Sequence, residues 1–231
     1  MIFAPEELIR QVNSLLTEYP NLSVVASNSE CIRFQGSIFI NLTFNDFTVQ
    51  KVFDLQIVLP LANNDLPYVI DINDNIGYTY HHRYTNGVLC LATDTDIRFR
   101  FLDSFDVVDW MREFVETYYF SYEYYVRFGE LPFGDRSHGY IGILESYREM
   151  LGSGDGSEAL RIMVAIATTP YRGHLPCPCG SGRKTRKCHG CSMLKFYLDR
   201  RKMLLLQEDL TRCLVEMEEY RKRARNHEKR K

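Results

Sequence analysis

The chain has 231 residues, 45% of them hydrophobic and 25% charged, which suits one domain of ordinary size plus a small appendage and excludes a disordered chain. Its formal net charge of −2 hides an uneven split: residues 1–150 carry 10 basic against 21 acidic side chains, and residues 151–231 carry 18 against 9. The split suggests two units with different partners, or two solvated surfaces that merely differ, and the acidic front half argues against a nucleic-acid binder.

MIFAPEELIR lacks the basic start and apolar run of a signal peptide, and stretches such as IMVAIA fall far short of the roughly 20 residues that a membrane helix needs. The expectation is a soluble, cytoplasmic protein with no membrane partner. PEELIRQVNSLLTEYP then reads as a first helix: Pro5 suits its first turn, Glu6 and Glu7 favour the positive end of its dipole, and Leu8, Val12, Leu15 and Leu16 form one apolar face.

A strand-rich stretch follows. CIRFQGSIFINLTF holds β-formers around a Gly-Ser turn, KVFDLQIVLP sets Phe53, Leu55, Ile57 and Leu59 on one side, and LPYVIDIN is a short β-rich run opened by Pro67. An antiparallel meander is expected. Residues 75–103 read as irregular, with the strong turn signal Asn86-Gly87 placed directly before VLCL. A loop that holds Cys90 among aromatics and histidines is a natural seat for chemistry.

SFDVVDWMREFVETYYFSYEYYVRFGEL reads as one long helix capped by Asp103 or Ser104, with Asp106 in its first turn and an apolar stripe through Val107, Met111, Phe114, Tyr118, Tyr122 and Tyr125. SHGYIGILESYREML is a further helix, and GSGDGS after it is the best linker candidate. The expected division is a domain over 1–150, a linker and short helix over 151–176, a cysteine-rich module over 177–191 and a charged helical tail over 192–231.

The seven cysteines are Cys31, Cys90, Cys177, Cys179, Cys188, Cys191 and Cys213, and four of them fall within fifteen residues. An odd count with one tight cluster points to metal and catalysis rather than disulfides. PCPCGSGRKTRKCHG offers Cys177, Cys179, Cys188 and His189, a set that closes a tetrahedral structural zinc site; Cys191 is an alternative to His189. Four protein ligands leave no open position, so no metal catalysis is expected there. Arg172, Arg183, Lys184, Arg186 and Lys187 flank the cluster. These fifteen residues resemble the SEC-C motif, a zinc module that serves other proteins as a docking element. The resemblance implies a recruiting role, with no indication of the partner.

Residues 5–128 resemble a ubiquitin-conjugating (UBC-like) domain in element order: helix, four-stranded antiparallel meander, irregular active stretch, then helices. NGVLCLA places Asn86, Gly87, Leu89, Cys90 and Leu91 in register with that family's Gly-x-Ile-Cys-Leu signature. Where the family carries its asparagine, eight residues before the cysteine, this chain has His82, and His82-Arg83-Tyr84 resembles the His-x-Tyr pattern of conjugating-type proteins from bacterial type II CBASS anti-phage operons. Trp110 and the Gly129-Glu130 pair are similar to further features of that group. The resemblance implies an α+β fold and a cysteine that carries the C-terminus of a ubiquitin-like protein as a thioester, delivered by an activating-type enzyme and passed to a protein target. It implies that His82 donates to the oxyanion and that Asp94, or Asp96, orients the attacking amine.

Two other functions fit the same residues. One is a non-catalytic adaptor that binds a ubiquitin-like tail and recruits through its zinc module. The other is a cysteine hydrolase with His82 and Asp94 beside Cys90.

Overall fold

A computed structural model describes residues 5–62 and 65–228. The chain forms two compact units, Met1–Ala92 with Asp103–Asp135, and Thr93–Leu102 with Arg136–Lys231.

The first unit is α+β. Helix α1 (Pro5–Glu18) leads into strands β1 (Leu22–Ser27), β2 (Cys31–Phe44), β3 (Phe47–Pro60) and β4 (Tyr68–Asp71), which form one antiparallel sheet in the order β1-β2-β3-β4. The expected meander is present, but its strands divide elsewhere. Gly36-Ser37 is not a turn: β2 runs straight through it, and Gly36 is needed because a Cβ there would lie 2.0 Å from the Asn21 carbonyl oxygen on the neighbouring strand's approach. The hairpin turn is Asn45-Asp46, both with positive φ (47° and 61°), the pair of left-handed residues that a two-residue turn between twisted strands requires. β1, drawn from NLSVVAS, supplies the remaining strand.

Alternation along β3 does what its sequence indicates: Phe53, Leu55, Ile57 and Leu59 are all buried. They meet the aromatic helix that follows, with Phe53 stacked on Tyr119 at 4.4 Å between centroids. That helix is not uniform. Asp106, rather than Asp103 or Ser104, caps it by accepting from Val108 N (2.9 Å) and Asp109 N (3.2 Å). An α-helical turn α3 (Val107–Trp110) passes into a π-helical stretch over Met111–Glu116 and then into α4 (Thr117–Phe128), closed by left-handed Gly129. The extra residue per turn brings Val115, Tyr119 and Phe120 into the buried face; of the expected stripe Val107, Met111 and Tyr118 are buried, whereas Phe114, Tyr122 and Tyr125 are only half-buried. Gln11 ties α1 to this helix: its amide donates to Phe105 O (2.9 Å) and accepts from Val107 N (2.7 Å), filling two backbone valences with one buried side chain.

The second unit is helical: α2 (Asp94–Arg100), α5 (Gly139–Leu151), α6 (Gly156–Thr168), α7 (Gly190–Tyr197) and α8 (Arg200–Glu228). α2 corrects the reading of 75–103 as wholly irregular; Thr93 caps it by accepting from Asp96 N at 3.0 Å. GSGDGS is a tight helix-to-helix turn: Gly152 ends α5 in the left-handed region and Asp155 caps α6 through Glu158 N (2.8 Å). The charged tail is two helices, broken at Leu198-Asp199, where the Asp199 side chain accepts from Arg201 N. Ile143, Tyr147, Leu151, Ile162, Met163, Met193, Phe196, Leu206 and Leu210 form the core of this unit, and Cys177 and Cys179 belong to the same cluster. No helix among the described residues is long and apolar enough to cross a membrane.

Candidate functional site

The residues between β4 and Ala92 are organised by one short hairpin. Tyr84 N donates to Val88 O and Gly87 N to Tyr84 O, both at 2.9 Å, around Asn86-Gly87; Arg83 pairs with Leu89, and Cys90 N donates to His82 O at 2.8 Å. Gly87 has φ +83°, and Val88 N reaches Asn86 Oδ1 (3.2 Å). The hairpin's second arm lies along β4, with Leu89 N on Val69 O and Asp71 N on Gly87 O, both 2.9 Å. The eight-residue separation of His82 and Cys90 is therefore a cross-hairpin pair.

Buried charge anchors this loop. Arg83 sits 3.5 Å from Asp71 and 3.3 Å from Asp74, with its guanidinium 4.1 Å from the Tyr78 ring centroid, and the side chains of Arg83 and Asp71 are 6% and 0% exposed. Asp71 also accepts from Asn75 Nδ2 (3.1 Å) and Ile76 N (3.2 Å). Its charge thus has both a cation and amide donors, as a buried carboxylate needs.

Cys90 is half-buried, and its Sγ lies within 4.8 Å of a ring nitrogen of His82. The His82 carbonyl accepts a second bond, from Tyr118 OH at 3.1 Å, so the backbone under the imidazole is held from two directions. Burial pushes the Tyr118 and Tyr80 phenols far above the usual range, and both stay neutral. His82 Nε2 is 3.0 Å from Asp135 Oδ1, and His81 Nε2 is 3.3 Å from the other oxygen of the same carboxylate. Asp135 lies 45 residues beyond Cys90, in a Gly-Asp pair after the aromatic helix, and sequence reasoning did not find it; nothing in its local composition ties it to a histidine. Asp94 and Asp96 belong to the second unit. Asp94 opens α2 and is 3.2 Å from Arg212, while Asp96 is 3.1 Å from Arg136.

The second candidate site is the cysteine cluster, where Cys177, Cys179, Cys188 and His189 bring one ligand atom each within 4.8 Å of all the others. Cys177 Sγ and Cys188 Sγ are each 3.4 Å from His189 Nδ1, and Cys179 Sγ is 3.7 Å from Cys188 Sγ. Bonds of about 2.3 Å to sulfur and 2.0–2.1 Å to nitrogen set the ligands of a tetrahedral ion roughly 3.5–3.8 Å apart, so these residues fit a metal. The backbone makes the fit. Gly180 and Gly182 take positive φ (91° and 73°), and Cys177 N on Arg183 O (2.8 Å) closes the loop. His189 Nε2 lies 3.2 Å from Gly152 O, which fixes Nδ1 as the inward nitrogen. Ser181 N and Oγ approach Cys179 Sγ at 3.4 and 3.1 Å, and Arg161 holds the Cys179 carbonyl at 2.8 Å. Cys191 is exposed and outside the group of four. A pocket of about 300 Å³ in the same unit is lined by Pro170, Arg172, Leu175, Pro178, Met193 and Tyr197, among others.

Comparison with known proteins reaches one part of the chain. It is 48% identical over 44 residues to the protein translocase subunit SecA of Dechloromonas aromatica (strain RCB), a stretch that carries the SEC-C motif and covers 19% of this chain. The chain spans only about 5% of that protein's length. No family model and no solved structure matches the chain.

Proposed function

We propose that this protein is a UBC-like conjugating enzyme that carries the C-terminus of a ubiquitin-like protein as a thioester on Cys90 and passes it to an amine on a target, in a bacterial anti-phage setting. One observation carries the reading: Cys90 and His82 face each other across a hairpin turned by Asn86-Gly87, with the thiol half-buried and the imidazole side chain 11% exposed. A thiol so placed can exchange acyl groups with another thioester at little net free-energy change, and the imidazole stands beside the carbonyl that would form on it. The α+β order of helix, meander and aromatic helix supports the same reading.

The cysteine cluster would hold a structural zinc, whose two positive charges would offset most of the charge of three thiolates and fix the loop; the residues around it would dock a partner. The reacting sulfur is Cys90 alone.

The experiment is charging with the native ubiquitin-like cargo, its activating enzyme and ATP. Wild-type protein should give an adduct released by thiol, Cys90→Ser an oxygen ester that survives thiol, and Cys90→Ala no adduct. His82→Ala should still charge but discharge more slowly onto an amine, by roughly 10²-fold if one oxyanion donor or base is lost. An adduct that forms equally well on Cys90→Ala ends the reading. Binding that survives reductant and ignores Cys90 supports the adaptor instead.

A further inference from the structure

We propose that Asp135 is the positioning residue of this site: it takes the Nε2–H of His82, leaving Nδ1 as the basic nitrogen, so that His82 serves as the proton acceptor for the attacking amine. The inference rests on the thioester reading for its catalytic consequence, but not for the tautomer it assigns.

The geometry is direct. Asp135 Oδ1 lies 3.0 Å from His82 Nε2. An ionised carboxylate only accepts, so the nitrogen facing it carries the proton, in both the neutral imidazole and the imidazolium. A histidine fixed as the Nε2–H tautomer carries its lone pair on Nδ1, an atom shielded from solvent before Cys90 is acylated. The ring has little freedom to exchange the two nitrogens, because its side chain is 11% exposed and packs edge-on to Tyr80 at 5.6 Å and against His81 at 4.2 Å between centroids. Its backbone is pinned by Cys90 N and Tyr118 OH. The charged and titratable groups around it in this unit include Asp135, His81 on the carboxylate's other oxygen, Cys90, and the phenols Tyr80 and Tyr118.

The step then balances. The amine nitrogen bonds to the thioester carbonyl carbon as its proton passes to His82 Nδ1. The C–S bond breaks, its electron pair leaving on Cys90 Sγ, and the imidazolium returns the proton to that thiolate. Asp135 stays ionised and stabilises the imidazolium, as an orienting carboxylate does in nucleophile–histidine–acid sites.

The test uses full-length protein in two arms. In the first, nitrogen–proton correlation spectra of the histidine rings, assigned with His82→Gln, read the tautomer. Wild-type His82 should be Nε2–H, and Asp135→Asn, whose amide can donate to Nε2, should move it toward Nδ1–H. Asp135 is 57% exposed, so the substitution should leave the fold intact. In the second, protein charged on Cys90 is chased with lysine in single turnover. Asp135→Asn should charge normally and discharge at least about tenfold more slowly, a part of the 10²–10⁴-fold that a positioned base can supply, and Asp135→Glu should restore most of the rate. An unchanged tautomer in Asp135→Asn overturns the proposal, and so does an unchanged discharge rate on protein that charges. If the tautomer switches but no adduct ever forms on Cys90, the positioning stands and the thioester reading falls.

Discussion

The Cys90 hairpin and the cysteine cluster are both sites where sulfur is presented, and they are built in opposite ways. At Cys90 the backbone does the placing: the turn, the cross-hairpin bond and the pairing with β4 fix the thiol and His82 before any side chain acts. In the cluster four side chains converge on one point, with the backbone curled behind them. A site held by backbone keeps its shape when one functional side chain is removed. A site held by convergent side chains needs the ion that joins them. The two should therefore fail differently under substitution.

The largest effect is expected in the cluster. Cys188→Ser should take the protein from about one zinc per chain to none by elemental analysis, and should melt α7 and the loop before it while the Cys90 hairpin keeps its hydrogen-exchange protection. Structural zinc contributes roughly 10–16 kcal/mol of apparent binding free energy in isolated zinc-finger peptides, an upper bound here because Cys177 and Cys179 also belong to a packed core. Wild-type protein that carries no zinc as purified, or whose melting profile is unchanged when its metal is removed, would sink the metal assignment. In contrast, Cys90→Ala should leave the melting temperature nearly unchanged.

Next in size is the anchor of the hairpin. Arg83→Ala strands the buried Asp71 carboxylate with amide donors but no cation, at a cost of about 3–5 kcal/mol by denaturant unfolding. The backbone-built site thus depends on one buried ion pair beneath it. If Arg83→Ala unfolds no more easily than wild type, the hairpin holds itself. Gly87→Ala should cost less, about 1–2 kcal/mol. It forces a side chain into the left-handed region, where its Cβ would also lie 3.4 Å from Ile70 Cγ2.

What the sequence reveals follows the same contrast. The cysteine and histidine cluster of CPCGSGRKTRKCHG and the Asn86-Gly87 turn are local, and spacing alone points to both. The alternation of β3 is equally legible because one face of that strand is buried. Gly36 misleads because its role is a close approach by Asn21, a residue on another segment. The π-helical turn after Trp110 is invisible to a 3.6-residue period. Asp135 and the Gly152 carbonyl each complete a site from far along the chain, 53 residues from His82 and 37 from His189, and no local pattern announces either.

The smallest effect, expected of Asp209→Asn, tests how the second unit treats buried charge when no ion pair is formed among the described residues. Asp209 is 4% exposed and accepts from Thr95 Oγ1 (2.9 Å) and Tyr147 OH (3.1 Å), both on the same carboxylate oxygen. Burial holds its carboxyl above the ordinary carboxylate value; the two hydroxyl bonds and, more weakly, Arg212 and Arg98 pull the other way. The sign follows from linkage. A folded-state value above the unfolded one means that this group favours the fold fully below the unfolded value near 3.9, and that the contribution is lost as pH rises through the folded value. Asp209→Asn keeps one oxygen for both hydroxyls and removes the charge. It should therefore match wild type in acid and gain on it as pH rises toward neutrality, when stability is measured by urea unfolding at a series of pH values. Asp209→Ala, which leaves Thr95 and Tyr147 without their acceptor, should lose about 1–3 kcal/mol at every pH. Were Asp209→Asn to weaken the protein increasingly with rising pH, the charge itself would be contributing stability. The second unit would then rest on buried electrostatics as much as the Arg83–Asp71 anchor does in the first.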